Sequence, residues 1–264
     1  MVERCRLCGT TEKLSFEHVP PKAAFNNERA ELYGLDAWLE RDRLTGHPGK
    51  RGIIVQQGSG VRTLCEDCNS RAGALYVREM ARWARIGRQA LAENRLAVEE
   101  ADSQIAPSGI RLTIQRAQPG RFIKQMVTML LAIAPVQLVD VYPDLAAYAR
   151  EPNATEFPPG MTLYLNLFAG PIARFVGQAS VIREQDGASY AVSELAYPPY
   201  AYALVIGEPV DAPALQGCDI TNFASASVDR RANVEMLMQC GFGHTVIPLD
   251  YRSAAAITAE RESD

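Results

Sequence analysis

Two C-x-x-C pairs constrain the fold of this chain more than any other feature of its sequence. Cys5 and Cys8 form the first pair, and Cys65 and Cys68 form the second. Two intervening residues allow both sulfurs of a tight turn to reach one metal ion, and two such pairs are typical of an intracellular structural zinc site. Four thiolates fill the coordination sphere, so we expect this zinc to hold the fold rather than to catalyse a reaction.

The composition indicates a globular protein of the cytoplasm. Hydrophobic residues make up 47% of the 264 residues and charged residues make up 22%, which is ordinary for a soluble domain. The first residues are polar and lack the character of a signal peptide. The longest apolar run, residues 126–136, is too short to cross a bilayer and predicts a buried helix. Disulfides are rare in the cytoplasm, so two unrelated pairs of buried thiols are the alternative to a zinc site.

The charge is unevenly distributed along the chain. The net charge of -4 argues weakly against a protein that coats nucleic acid. Residues 1–100 nevertheless carry a net charge of +2, whereas residues 101–264 carry -6. A local basic surface in the first part is what contact with phosphate requires, and the charge of the whole chain does not exclude it.

The hydrophobic pattern predicts an α+β fold with a boundary near residue 100. Residues 1–100 hold the cysteines, a long insert with a short helix over 30–42, and an arginine-rich helix that begins at Ser70. Residues 101–264 predict a second α+β domain with a mainly antiparallel sheet. Its predicted helix covers 120–134, and its predicted strands cover 109–117, 161–169, 172–182, 189–197, 201–207 and part of 232–249.

A second group of residues carries chemistry beside the cysteines. Glu17 and His18 follow Cys8, and Asn69 follows Cys68 directly. Folding around zinc should bring the Glu17–His18 pair toward the start of the arginine-rich helix. Carboxylate and amide oxygens suit Mg2+ or a similar ion, and a neutral imidazole beside them suits a general base. The alternatives are a surface turn for Glu17–His18 and a helix N-cap for Asn69.

The arrangement CRLC…FEHVPP…LCEDCN resembles the HNH (ββα-metal) endonucleases that carry a four-cysteine zinc ribbon. The resemblance covers residues 3–75 and implies an amino-terminal ββα-metal module. It implies that His18 is the general base, that Glu17 and Asn69 hold a catalytic Mg2+ or Mn2+, and that the cysteines hold a structural zinc. The implied activity is metal-dependent hydrolysis of phosphodiester bonds in DNA, and such proteins often act in defence against foreign DNA.

The chain departs from the family pattern at several positions. Many HNH proteins have a middle asparagine that helps to orient the base, and here Gly60 occupies that register. Asn26 or Asn27 is a possible substitute. Glutamate replaces the commoner aspartate at Glu17, and Arg71 is the nearest cation where relatives carry lysine. Together these differences leave open an inactive site.

An arginine stripe on the predicted helix has two interpretations. The side chains of Arg71, Arg78, Arg82 and Arg85 fall within a narrow stripe, which either grips phosphates or is a solvated face. DNA is the expected partner, and residues 101–264 could support a homodimer or bind a protein. The functional alternatives are a zinc-stabilised module that binds nucleic acid without cutting it, and a protein-interaction subunit of a defence complex.

Overall fold

The computed structural model describes residues 3–40, 51–96, 109–170, 172–182, 189–207, 217–241 and 258. Within these residues the protein has a mixed α+β fold, which confirms the predicted fold class at that level. The domain boundary predicted near residue 100 lies outside the described residues. None of the helices in the described ranges is long and apolar enough to cross a membrane.

The amino-terminal part contains two paired strands and a long helix. Strands β1 (Leu14–His18) and β4 (Gly60–Cys65) pair antiparallel, and helix α2 (Glu66–Glu93) begins directly after β4. The prediction that this helix begins at Ser70 was therefore wrong by one turn. Glu66 and Asp67 stabilise the positive end of the helix, which explains the earlier start. As a consequence, the last cysteine pair straddles the helix start.

The insert between β1 and β4 forms a small substructure of its own. A 3-10 turn (Lys22–Ala24) follows β1, and strands β2 (Ala30–Leu32) and β3 (Ile53–Val55) pair antiparallel. Helix α1 (Leu35–Leu39) is shorter than the helix predicted over 30–42, because residues 30–32 pair with β3 instead.

The remaining strands form one seven-stranded sheet. Its order is β5-β11-β6-β9-β8-β7, and β10 also pairs with β6. All pairs are antiparallel except β11 with β6, so the predicted mainly antiparallel sheet is confirmed. The strands are β5 (Gly109–Ala117), β6 (Met161–Phe168), β7 (Arg174–Ile182), β8 (Ser189–Tyr197), β9 (Tyr200–Ile206), β10 (Cys218–Asp219) and β11 (Ala232–Gly241). A second 3-10 turn covers Thr221–Ser225.

Helix α3 (Pro119–Ile133) lies at the centre of the core. It is buried along almost its whole length because it packs against both α2 and the seven-stranded sheet. Two shorter helices follow it, α4 (Val136–Val141) and α5 (Pro143–Arg150). The indole of Trp83 on α2 stacks on Phe122 of α3 at 3.8 Å, and the hydroxyl of Tyr200 on β9 donates a hydrogen bond to Trp83 O. Residues on both sides of position 100 thus share one hydrophobic core.

Candidate metal centre and active site

The four cysteines of the two C-x-x-C pairs converge at one point. Cys5 and Cys8 lie in the turn before β1, whereas Cys65 ends β4 and Cys68 lies in the first turn of α2. Their sulfur atoms all lie within 4.8 Å of one another, and the Cys8 and Cys65 sulfurs are 3.7 Å apart. Tetrahedral zinc with bonds of about 2.3 Å separates its sulfurs by about 3.8 Å. The donor set and its spacing therefore fit a zinc ion, as the sequence predicts.

Backbone hydrogen bonds shape the segments that carry these cysteines. Gly9 adopts a left-handed conformation with φ of +75°, and its N–H donates to Cys5 O at 2.9 Å, which closes the first cysteine turn. The N–H of Arg6 donates to Thr63 O on β4 and joins the two halves of the cluster. A hydrogen bond with Cys68 lowers the pKa of the Cys5 thiol to about 4 and raises that of Cys68. Metal binds the thiolate form of cysteine, so binding of zinc by all four sulfurs would release their protons.

Glu17 and His18 end strand β1 and have different surroundings. Glu17 is buried, and its Oε2 atom has no hydrogen-bond partner among the residues that the structure describes. Burial, with a smaller contribution from Cys5, raises the pKa of the Glu17 carboxyl to about 8. A buried carboxylate oxygen without a partner is costly. This group therefore needs a proton or a cation beside it.

The imidazole of His18 is held by a backbone carbonyl. Its Nε2 atom lies 3.0 Å from the carbonyl oxygen of Gln57, so Nε2 carries the proton and Nδ1 keeps a lone pair. Partial burial lowers the pKa of His18, the Gln57 contact opposes this change, and Lys22 adds to it. The ring also meets the ring of Phe16 edge to face, with centroids 4.9 Å apart. His18 is thus neutral and oriented near neutral pH.

Asn69 lies in the first turn of α2 and contacts β1. Its Nδ2 atom donates to Ser15 Oγ at 3.0 Å and to Phe16 O at 3.1 Å. The structure therefore places this amide beside the residue that precedes Glu17. Among the described residues no group donates a hydrogen bond to Asn69 Oδ1, so the amide oxygen is available to a ligand.

Asn26, named from the sequence as one substitute for a middle asparagine, holds the loop that orients His18. It is 1% exposed, and its Nδ2 donates to Pro20 O at 2.6 Å and to Ser59 O at 2.7 Å. Its Oδ1 accepts from Ser59 N at 2.8 Å and from Ser59 Oγ at 3.3 Å. The side chain thus ties the chain after His18 to the chain before β4. Its neighbour Asn27 is exposed.

Gly60 has no room for a side chain. It pairs with His18 across the two strands, and a Cβ atom there would lie 2.0 Å from Glu17 O and 2.7 Å from Phe16 Cζ. An asparagine at this register would push β1 and β4 apart. The two strands lie too close here for an asparagine side chain at position 60.

The four arginines of the predicted stripe have different surroundings. Arg82 donates to the backbone carbonyls of Arg116 and Gln115 on β5. Arg71 lies 3.9 Å from a carboxylate oxygen of Glu151. Arg78 and Arg85 are exposed. Contact of these arginines with phosphate stays a prediction, and Arg82 already has structural partners.

A cavity of 1140 Å³ lies near the candidate site but does not contain it. Residues of the insert, α2 and β7 line it, including Tyr33, Arg88 and Phe175. Gly60 belongs to its wall, whereas Glu17, His18 and Asn69 do not.

Comparison with known proteins identifies no relative. No protein-family model, no curated protein and no solved structure matches this chain.

Proposed function

We propose that this protein is a metal-dependent endonuclease of the HNH (ββα-metal) type that hydrolyses phosphodiester bonds in DNA. One observation carries the proposal. Two antiparallel strands run directly into a helix, the candidate base ends the first strand, and Asn69 lies in the first turn of that helix. Cys65 and Cys68 at the joint between β4 and α2 meet Cys5 and Cys8 from the turn before β1, so one bound zinc would tie these elements together.

His18 is the general base of the proposed reaction. With Nε2–H donated to Gln57 O, the lone pair of Nδ1 can accept a proton from a water molecule. The resulting hydroxide attacks phosphorus and the bond to the leaving oxygen breaks. His18 holds the proton taken from water, and the leaving oxygen takes a proton from solvent. The lowered pKa keeps the imidazole neutral, and therefore able to accept that proton, near neutral pH.

Glu17 and Asn69 are the residues that would hold Mg2+ or Mn2+. Within the described part of the chain, the Glu17 carboxylate has a buried oxygen without a partner, and the amide nitrogen of Asn69 is bound to β1 while its oxygen accepts no hydrogen bond. Hard oxygen donors of this kind fit such an ion. When bound, the ion supplies positive charge to the phosphate and to the leaving oxygen.

Asn26 holds the segment whose backbone carbonyl contacts the proposed base. It fixes Ser59, and the adjacent Gly58 N–H donates to Glu28 O at 2.8 Å, so the segment that carries the Gln57 carbonyl is held at two points. In this proposal Asn26 is a positioning residue in place of the amide that the family carries at the register of Gly60. The zinc keeps a structural role, because four thiolates leave it no open position.

The test compares wild type with His18→Ala, His18→Asn and Asn69→Ala. Each protein is incubated with supercoiled plasmid, single-stranded DNA and a branched duplex, first without added metal and then with Mg2+ or Mn2+. Zinc content is measured in every sample, so that loss of the catalytic ion is not confused with loss of the structural ion. We expect metal-dependent cleavage by wild type and a loss of at least about 100-fold in each variant with zinc retained.

Two outcomes would contradict the proposal. Cleavage by His18→Ala at the wild-type rate would remove His18 from the reaction. A zinc-loaded wild type that cuts no DNA or RNA substrate with either metal would remove the nuclease activity. If that protein still binds DNA, and binding survives the His18 variants, the chain is a zinc-stabilised binding module instead.

A further inference from the structure

An aromatic side chain lies exposed beside the proposed base. Phe16 precedes His18 by two residues on β1, so both side chains lie on the same face of the strand. The ring of Phe16 is 37% exposed and meets the imidazole at an interplanar angle of 87°. The exposed part of this ring is available for contact with a ligand beside the proposed base.

The strand pairing is irregular at this ring. Ser15 pairs with Leu64 and Glu17 pairs with Val61, so Arg62 and Thr63 both lie opposite Phe16 in a β-bulge. Bulges re-aim side chains and are frequent next to active sites.

The two residues of the bulge point to different surroundings. Thr63 Oγ1 donates to Ala132 O on the inner side, whereas Arg62 is exposed, with its guanidinium 5.7 Å from the centre of the Phe16 ring. Within the described residues Arg62 forms no ion pair. Its charge therefore remains free to meet an anion beside the ring.

The ring of Phe16 lies against Gly60 on the opposite strand. A Cβ atom on that glycine would lie 2.7 Å from Phe16 Cζ, so the ring occupies the space that a side chain would fill. An exposed aromatic ring, an exposed guanidinium 5.7 Å from its centre and the proposed general base at its edge lie together at this surface. A nucleobase joined to a phosphate matches this surface, because bases stack on rings and arginine pairs with phosphate.

We propose that Phe16 and Arg62 form a platform that holds an unstacked nucleobase next to the phosphate to be cleaved. Bases inside an intact duplex are stacked on each other and do not reach such a ring. The platform therefore makes single-stranded DNA, or a duplex with an unpaired base, the preferred substrate. This inference rests on the proposed nuclease function.

The first measurement is the ratio of cleavage rates on single-stranded and fully paired DNA of the same sequence. Phe16→Tyr keeps the ring, Phe16→Leu keeps only the apolar cover of Gly60, and Arg62→Gln removes the charge. Leu237→Ala removes an exposed apolar side chain on β11 as the control. We expect the ratio to fall about 5- to 100-fold in Phe16→Leu and to be retained in Phe16→Tyr, from the energy of base–aromatic stacking.

The second measurement reports stacking without cleavage. Single-stranded DNA carrying one 2-aminopurine is titrated with His18→Ala, and with His18→Ala combined with Phe16→Leu or Phe16→Tyr. Stacking on the ring changes the fluorescence of that base at saturation. We expect the change with His18→Ala alone and with the Tyr variant, and its loss with the Leu variant.

The outcomes separate the two proposals. If wild type cuts DNA in a His18-dependent way but the ratio and the fluorescence are the same in Phe16→Leu, the platform is wrong and the nuclease stands. If wild type cuts nothing but Phe16 still governs the fluorescence change, the nuclease is wrong and the surface binds bases without cleaving. If neither cleavage nor a Phe16-dependent signal is found, both proposals fall.

Discussion

Replacement of Asn26 by alanine tests how the chain orients its candidate base. The amide makes four hydrogen bonds, and two of its partners, Ser59 O and Ser59 Oγ, keep a second bond with Val19. Among the described residues, Pro20 O and Ser59 N have no such second partner. A buried polar group that loses its partner costs about 1–3 kcal/mol, so the variant should lose about 2–6 kcal/mol of unfolding free energy.

The assay is urea unfolding of the zinc-loaded protein, followed by tryptophan fluorescence. With a slope of about 3 kcal/mol per molar urea, a loss of about 3 kcal/mol moves the midpoint by about 1 M. Asn27→Ala is the matched control, because it removes the same amide from an exposed neighbour and should stay within about 0.5 kcal/mol of wild type. If the midpoints of the two variants coincide, the bridge through Asn26 does not stabilise the fold and the reasoning fails.

The same variant also separates stability from positioning. Cleavage is measured without urea at low temperature, where circular dichroism shows that the protein is folded. A displaced Gln57 carbonyl should lower kcat by about 100-fold, with little change in KM, because Asn26 is buried away from solvent. A folded variant with the kcat of wild type would show that His18 does not depend on this bridge.

Three further perturbations have defined outcomes. Cys68→Ser should lose the bound zinc seen by metal analysis while Cys218→Ser, outside the cluster, retains it; equal zinc in both would contradict the four-cysteine centre. Burial lowers the pKa of Lys124 to about 8, so between that pH and about 10.4 this residue binds more protons in the unfolded chain, and its contribution to stability should rise with pH across this window. Lys124→Met should remove this contribution. If urea unfolding at several pH values gives the same dependence of unfolding free energy on pH for the variant and wild type, the prediction is wrong. Gly60→Ala should destabilise by about 1–3 kcal/mol through its contact with the opposite strand, whereas Gly73→Ala, with open space around it, should be neutral or stabilising; the reverse order would contradict the close strand pairing.

Local chemistry explains what the sequence could predict. The C-x-x-C spacing places two sulfurs in one turn whatever the rest of the chain does, so the metal cluster was visible without a structure. The strands of the seven-stranded sheet could be predicted because the alternation of apolar and polar residues and the turn residues between strands are local as well. The start of α2 was missed by one turn, since Glu66 and Asp67 act through the helix dipole rather than through hydrophobic periodicity.

The surroundings of the candidate site depend on contacts between distant segments. The carbonyl that binds His18 belongs to Gln57, 39 residues away, and no motif marks it. Arg62 lies beside Phe16 because a bulge in β4 shifts the pairing of the two strands at this point. Such a shift in register cannot be recognised from the amino-acid composition. Arg82, which the sequence grouped with phosphate-binding residues, is bound to β5 through carbonyls that sequence patterns do not reveal.

The glycine at position 60 and the asparagine at position 26 are best understood together. The close approach of β1 and β4 excludes a side chain at Gly60, so an amide that fixes the loop before β4 must come from elsewhere. The insert returns to β4 through Gly58 and Ser59, and there it meets Asn26, an amide 33 residues distant in sequence. Under the proposed HNH function, glycine at position 60 is therefore weak evidence for an inactive site, because an amide from the insert can supply the same constraint. A search that requires asparagine shortly before the third cysteine would overlook chains built in this way.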